Sequence, residues 1–207
     1  MKRLALRVLP LALLLAGVGQ AKADLYTGSI YEGYTNNSST AGLLSTRPGG
    51  TPDITFATNN VNFYSSNDKT IGAFLNYGGG VTITSGSSKL ADPMMQVYVY
   101  LTGTVSFAPG LQTIKFLHDD GAELLITQNG SPPLDVQQGG GTTAHQSSFT
   151  YNFNASPYTV QIGYYENTVP PALLKLTVTP EPATLTMAGC GLVAFAGYQI
   201  RRRRARA

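Results

Sequence analysis

The sequence predicts an all-β domain built as an antiparallel two-sheet β-sandwich, and two observations carry that expectation. Between residues 24 and 179 no stretch repeats its apolar residues at helical spacing, whereas short alternating runs rich in Tyr, Val, Thr, Ile and Phe recur. Each run is bounded by Gly, Asn, Ser or Pro, the residues that supply turn conformations.

At the amino end, Lys2, Arg3 and Arg7 precede an apolar run over 8–18, and Ala21-Lys22-Ala23 places small residues where a signal peptidase reads. Residues 1–23 therefore read as a secretory signal peptide, cleaved before Asp24. The strands that follow are expected over 25–31, 54–56, 74–77, 81–85, 95–105, 111–117, 122–128, 147–153, 158–165 and 173–178. That many short strands suit two packed sheets. Two segments read as loops. One spans 35–51, with Asn36-Asn37-Ser38-Ser39 and Pro48-Gly49-Gly50. The other spans 131–146, with Pro132-Pro133, Gly139-Gly140-Gly141 and His145. Loops of that length are either binding loops or disordered segments.

The carboxyl end has three parts: Pro180-Glu181-Pro182, an apolar stretch over 183–200, and Arg201-Arg202-Arg203-Arg204-Ala205-Arg206-Ala207. A helix over 183–200 would be about 27 Å long, close to the ~30 Å hydrocarbon core of a bilayer. The arginines then stay on the cytoplasmic side, which puts residues 24–179 across the membrane from it. Cys190, the single cysteine, falls inside this stretch and reads as a small apolar residue ahead of the alternative, a lipidation or processing site. The exported domain thus has no disulfide and relies on core packing or a metal.

Removing both ends reverses the charge. Of 14 Lys and Arg, four lie in the signal peptide and five in the tail, leaving Arg47, Lys69, Lys89, Lys115 and Lys175 against ten carboxylates. The basic whole-chain pI near 9.0 comes from the two ends. The five cations are scattered singly, so nucleic acid is excluded as a partner.

His118-Asp119-Asp120-Gly121 is the densest polar cluster, set between two apolar runs with Glu123 just beyond. Its local reading is a hairpin turn. Adjacent carboxylates repel unless a cation lies between them, and Ca²⁺, which takes six to eight oxygens, is suited to that role. Twelve tyrosines and no tryptophan supply rings for stacking on sugars, with Tyr31, Tyr34, Tyr64 and Tyr77 beside loops. Strand packing accounts for most of them equally well. Catalysis has little support. There is no Gly-x-Ser-x-Gly and no His-Glu-x-x-His. Ser66-Asn67-Asp68-Lys69 matches Ser-x-x-Lys only as a short polar turn would. Asp119 and Glu123 are the one conceivable glycosidase pair, and His118 and His145 read as surface or loop histidines.

Two resemblances extend this reading. The tail, in the order of its parts, resembles the PEP-CTERM sorting signal. That likeness implies recognition of 180–207 by an exosortase, processing near Glu181, transit through the inner membrane, and release to the cell surface or an exopolysaccharide matrix. The alternative is a single-pass anchor that is kept.

The second likeness is to PA14-type β-sandwich domains. It rests on Thr27-Gly28-Ser29-Ile30-Tyr31, Pro52-Asp53-Ile54-Thr55-Phe56, Val99-Tyr100-Leu101-Thr102-Gly103, Phe107-Ala108-Pro109-Gly110, and Phe116 with Asp119-Asp120-Gly121-Ala122-Glu123-Leu124. Tyr158 to Tyr165 with Glu166-Asn167, then Ala172-Leu173-Leu174-Lys175-Leu176, is similar to the closing hairpin of those domains. In the sugar-binding members an aspartate pair joined by a cis peptide holds Ca²⁺, an asparagine of a later loop completes the site, and sugar hydroxyls coordinate the ion. The resemblance assigns those roles here to Asp119, Asp120 and Asn167, with Glu166 nearby. It implies a non-catalytic carbohydrate-binding module. The alternatives are a structural envelope or matrix protein without ligand, and a glycan-acting hydrolase.

Overall fold

The computed structural model describes residues 22–35, 42–66, 69–129, 131–138, 143–167 and 171–180, together with Gly191 and Phe195. The expected signal peptide lies outside the described residues except for Lys22 and Ala23, which open the first strand. The Glu181-Pro182 and Arg-rich parts of the tail also lie outside them, and so does the membrane stretch over 183–200 apart from Gly191 and Phe195. No helix among the described residues is long and apolar enough to cross a membrane.

Eleven strands appear among the described residues: β1 Lys22–Tyr31, β2 Ile54–Thr58, β3 Asn62–Ser65, β4 Val81–Ser85, β5 Val97–Ser106, β6 Gly110–His118, β7 Gly121–Gln128, β8 Ser131–Gln138, β9 His145–Phe153, β10 Tyr158–Glu166 and β11 Ala172–Pro180. They form a seven-stranded sheet in the order β4-β2-β1-β5-β10-β7-β8 and a four-stranded sheet in the order β3-β11-β6-β9. All pairings are antiparallel. The two-sheet arrangement expected from the alternating runs is therefore the one observed.

Three local expectations are corrected. Residues 74–77 are not a strand. Thr70 caps a short helix, α1 (Ile71–Asn76), by accepting a hydrogen bond from the Ala73 amide at 3.2 Å. Ile71, Phe74 and Leu75 bury one helical face, but six residues are too few for a periodicity to register. Within the expected 131–146 loop, β8 pairs with β7 at the edge of the large sheet. Prolines are tolerated at a sheet edge, where a missing amide interrupts no ladder, and Leu134 and Val136 pack on the core from this strand. The third addition is β3, four residues long.

Alternation assigns the faces. Val97, Val99 and Leu101 of β5, Ala122, Leu124 and Ile126 of β7, and Val160, Ile162 and Tyr164 of β10 point between the sheets, where they meet Ile114, Phe116 and Leu174. The opposite face of the large sheet carries Tyr31, Tyr98, Tyr100 and Tyr165, which form a second cluster with Leu43 and Leu44. So part of the expected 35–51 loop, residues 42–47, is a strap packed over tyrosines. The Tyr98 hydroxyl donates to the Leu43 carbonyl at 2.7 Å, and Arg47 lies 3.9 Å from the centroid of the Tyr100 ring. Gly163 makes room for the strap: a Cβ there would stand 2.9 Å from the Tyr98 hydroxyl and 3.3 Å from Leu43 Cβ. Of the tyrosines set beside loops, Tyr31 and Tyr34 are thus spent on packing. Tyr77 is 60% exposed, edge-on to Tyr64 with centroids 5.1 Å apart.

Candidate functional site

Topology places the acidic cluster. β6 belongs to the small sheet and β7 to the large one, so His118-Asp119-Asp120-Gly121 is a corner that carries the chain between sheets. The hairpin expected here is corrected on that ground. The link from β10 to β11 likewise crosses between sheets, which corrects the closing hairpin as well. The two crossings meet at one end of the sandwich, and Asp119, Asp120, Glu166 and Asn167 come together there.

Hydrogen bonds tie the crossings together. Asp119 Oδ1 accepts from the Tyr164 hydroxyl at 2.6 Å, from the Leu173 amide at 3.0 Å and from the Asp120 amide at 3.0 Å. Asp120 Oδ2 accepts from the Asn167 amide at 2.7 Å. Tyr164 also reaches Glu166 Oε2 at 2.5 Å. The Asn167 side chain is more peripheral, its Oδ1 accepting from the Tyr165 hydroxyl at 2.8 Å. The Asp119–Asp120 peptide is trans, not cis as the resemblance implies. The trans form of a non-proline bond is lower by about 2.5 to 4 kcal/mol.

The site is unusual for how many carboxyl groups it buries. Asp119 and Asp120 are each 5% exposed and Glu166 1%, while the two ion pairs among the described residues both belong to Lys89 elsewhere. Burial raises the Asp119 carboxyl above its ordinary range, against the pull of its hydrogen bonds from Tyr164, Leu173 and Asp120. Burial pushes Glu166 further, to about 9, assisted by the charges of Asp119 and Asp120 and by a hydrogen bond to Asp120. A bond between two carboxyls needs a proton on one of them, so Glu166 is the protonated member at neutral pH. Among the described residues Asp119 Oδ2 is buried without a hydrogen-bond partner, an arrangement that costs about 1 to 3 kcal/mol.

These groups fit a hard cation. Asp119 Oδ2 has no hydrogen-bond partner among the described residues, Asp120 lies beside it, and Asn167 Oδ1 stands at the rim. Glu166 contributes an oxygen only on losing its proton. No group of three or more His, Cys, Asp or Glu among the described residues is arranged as a complete metal cage, so an ion held by the aspartate pair must draw further oxygens from amides, carbonyls or ligand hydroxyls.

The structure separates the conceivable glycosidase pair. Glu123 lies on the strap side of the large sheet, where its Oε2 accepts from the Leu44 amide at 2.8 Å. Asp119 bonds to Tyr164, which points to the opposite face. The two carboxyls therefore do not converge on one substrate.

His118 is another correction: it is buried, not a surface histidine. As an alternate-face residue of β6 it follows Ile114 and Phe116 inward. Its Nδ1 donates to the Asp120 carbonyl at 2.6 Å, and burial lowers its pKa, so it is neutral. His145 is exposed at the start of β9. Sequence reasoning also missed Tyr164, although its place after Val160 and Ile162 on one face carried the signal: a phenol aimed into a core needs a polar partner.

No family model matches the chain, and no curated protein matches it in sequence. Solved structures do. The PA14 domain of the MpAFP antifreeze protein aligns over 77% of this chain and 85% of its own, at 18% identity and a TM-score of 0.53. A PA14 sugar-binding domain from an RTX adhesin aligns over 77% and 88%, at 18% identity and a TM-score of 0.48. The epithelial adhesin 6 A domain of Candida glabrata, in complex with Galβ1-3GlcNAc, aligns over 80% and 83%, at 16% identity and a TM-score of 0.48. The likeness to the antifreeze-protein domain identifies the fold as PA14-like.

Proposed function

We propose that this chain is an exported, non-catalytic carbohydrate-binding module that takes glycan hydroxyls through a Ca²⁺ ion held by Asp119, Asp120 and Asn167. One observation carries the reading: two adjacent, buried aspartates, of which Asp119 leaves its Oδ2 without a hydrogen-bond partner among the described residues, at one end of a PA14-like sandwich. A cation would supply the charge that such a cluster lacks and would leave coordination positions for vicinal sugar hydroxyls. The bound Ca²⁺ supplies that bridging; the chain's own part is to fix the aspartate pair through Tyr164, Leu173 and Asn167.

Saturating Ca²⁺ is expected to raise the melting temperature, as any ligand of the native state does, and EGTA is expected to abolish glycan-array binding. Asp120→Asn should weaken both effects at least tenfold. An unmoved melting temperature together with EGTA-resistant glycan binding would overturn the site. Binding to no glycan would leave a structural matrix protein.

The same reading takes 1–23 as a signal peptide removed by signal peptidase. It takes 180–207 as an exosortase-read sorting tail that anchors the domain in transit, with the working form at the cell surface or in an exopolysaccharide matrix. The mature mass should therefore lack both ends. A mass that retains Arg201 to Arg206 would sink the sorting interpretation.

A further inference from the structure

β6 ends and β9 begins on histidines that the calcium site does not use. His118 and His145 are aligned partners in the antiparallel ladder, with ring centroids 5.8 Å apart and ring planes at 53°. Directly opposed residues on one face of a sheet bring their side chains into contact. Because a carbonyl only accepts, the bond from His118 Nδ1 to the Asp120 carbonyl fixes the tautomer and leaves the lone pair on Nε2. That Nε2 is buried and has no hydrogen-bond partner among the described residues. His145 is exposed at the strand's start.

An imidazole anchored through one nitrogen to a backbone carbonyl, with the other nitrogen unengaged, is how a metal-binding histidine is oriented. With metal–nitrogen bonds of about 2.0 to 2.1 Å, two imidazoles on one ion at angles of roughly 90 to 130° have centroids about 4.5 to 6 Å apart. The observed separation falls inside that range.

We propose that His118 and His145 form a two-imidazole site for a divalent transition-metal ion, Cu²⁺ before Ni²⁺ or Zn²⁺. Nitrogen donors select such ions over Ca²⁺, and Cu²⁺ heads the affinity order. Water completes the coordination. This inference stands on the histidine pair alone and survives failure of the calcium reading.

The test uses tag-free, EDTA-stripped protein carrying Cys190→Ser, which removes the single thiol, with Cu²⁺ titrated in excess Ca²⁺. Electron paramagnetic resonance should show hyperfine structure from two imidazole nitrogens. His145→Ala, at an exposed position that leaves the fold intact, should lower Cu²⁺ affinity at least tenfold and reduce the pattern to one nitrogen or none. Equal binding in that variant, a wild-type spectrum without two nitrogens, or displacement of Cu²⁺ by Ca²⁺ would each overturn the proposal.

Discussion

Raised from pH 6.5 to 9 in EGTA, the protein should lose about 3 kcal/mol of stability, because the folded state holds a proton on Glu166 that the unfolded state has released. Glu166 moves from its ordinary 4.5 to about 9 on folding, chiefly through burial. A group whose pKa is raised by folding stabilises the native state fully below its unfolded value, and the contribution drains away as pH climbs toward the folded value. Asp119 shifts in the same direction. His118, lowered by burial, works the other way and removes stability as pH falls below its ordinary 6.5. The clean window therefore lies above 6.5, where His118 is neutral in both states. Urea denaturation at the two pH values measures the difference, and Glu166→Gln should flatten it. A wild-type stability that does not change across the window would show that Glu166 is ionised in the native protein. Ca²⁺ should reverse the trend, since binding to carboxyls displaces their protons and strengthens as pH rises.

The sandwich was legible in the sequence because its strands alternate cleanly. Val97, Val99 and Leu101 face the core while Tyr98 and Tyr100 face away, and that pattern marks β5 whatever its neighbours. Legibility failed where tertiary context overrode the local signal. Pro132 and Pro133 argue against a strand unless it lies at an edge, and a linear sequence does not say which strand is the edge. Phe74 and Leu75 look like strand residues, but the Thr70 cap and the space between Phe63 and Tyr164 make them helical. Pairing was hidden as well. Asp119-Asp120 reads as a hairpin from turn chemistry, and only the sheet order shows it crossing between layers.

The site was half visible. Two adjacent aspartates announce a concentration of charge from any viewpoint. That Asn167 and Glu166 join them depends on β10 ending where β6 hands over to β7, a long-range coincidence with no local trace. The burial of His118 was readable in principle from the β6 alternation, yet a polar run after Leu117 looked like solvent-exposed turn.

Tyr164→Phe should destabilise the protein by about 2 to 4 kcal/mol, since hydrogen bonds to buried charged groups are each worth about 1.5 to 3 kcal/mol. The change is selective. The ring of Tyr164 stacks on Phe74 with centroids 5.9 Å apart and planes within 9°, and phenylalanine keeps that packing. What disappears is one hydroxyl that contacts Asp119, Glu166 and the Leu173 amide. Tyr165→Phe is the matched control, because its hydroxyl serves only the exposed rim at Asn167, and it should cost less than about 1 kcal/mol. Equal effects of the two variants would mean that the carboxyl cluster is wetter than its burial indicates. If the cluster is built to receive a cation, saturating Ca²⁺ should narrow the gap between wild type and Tyr164→Phe, since an ion on Asp119 takes over part of the charge neutralisation that the phenol provides. A gap of the same width with and without Ca²⁺ would make Tyr164 a brace between the two crossings, and the acidic corner a structural joint rather than a binding site.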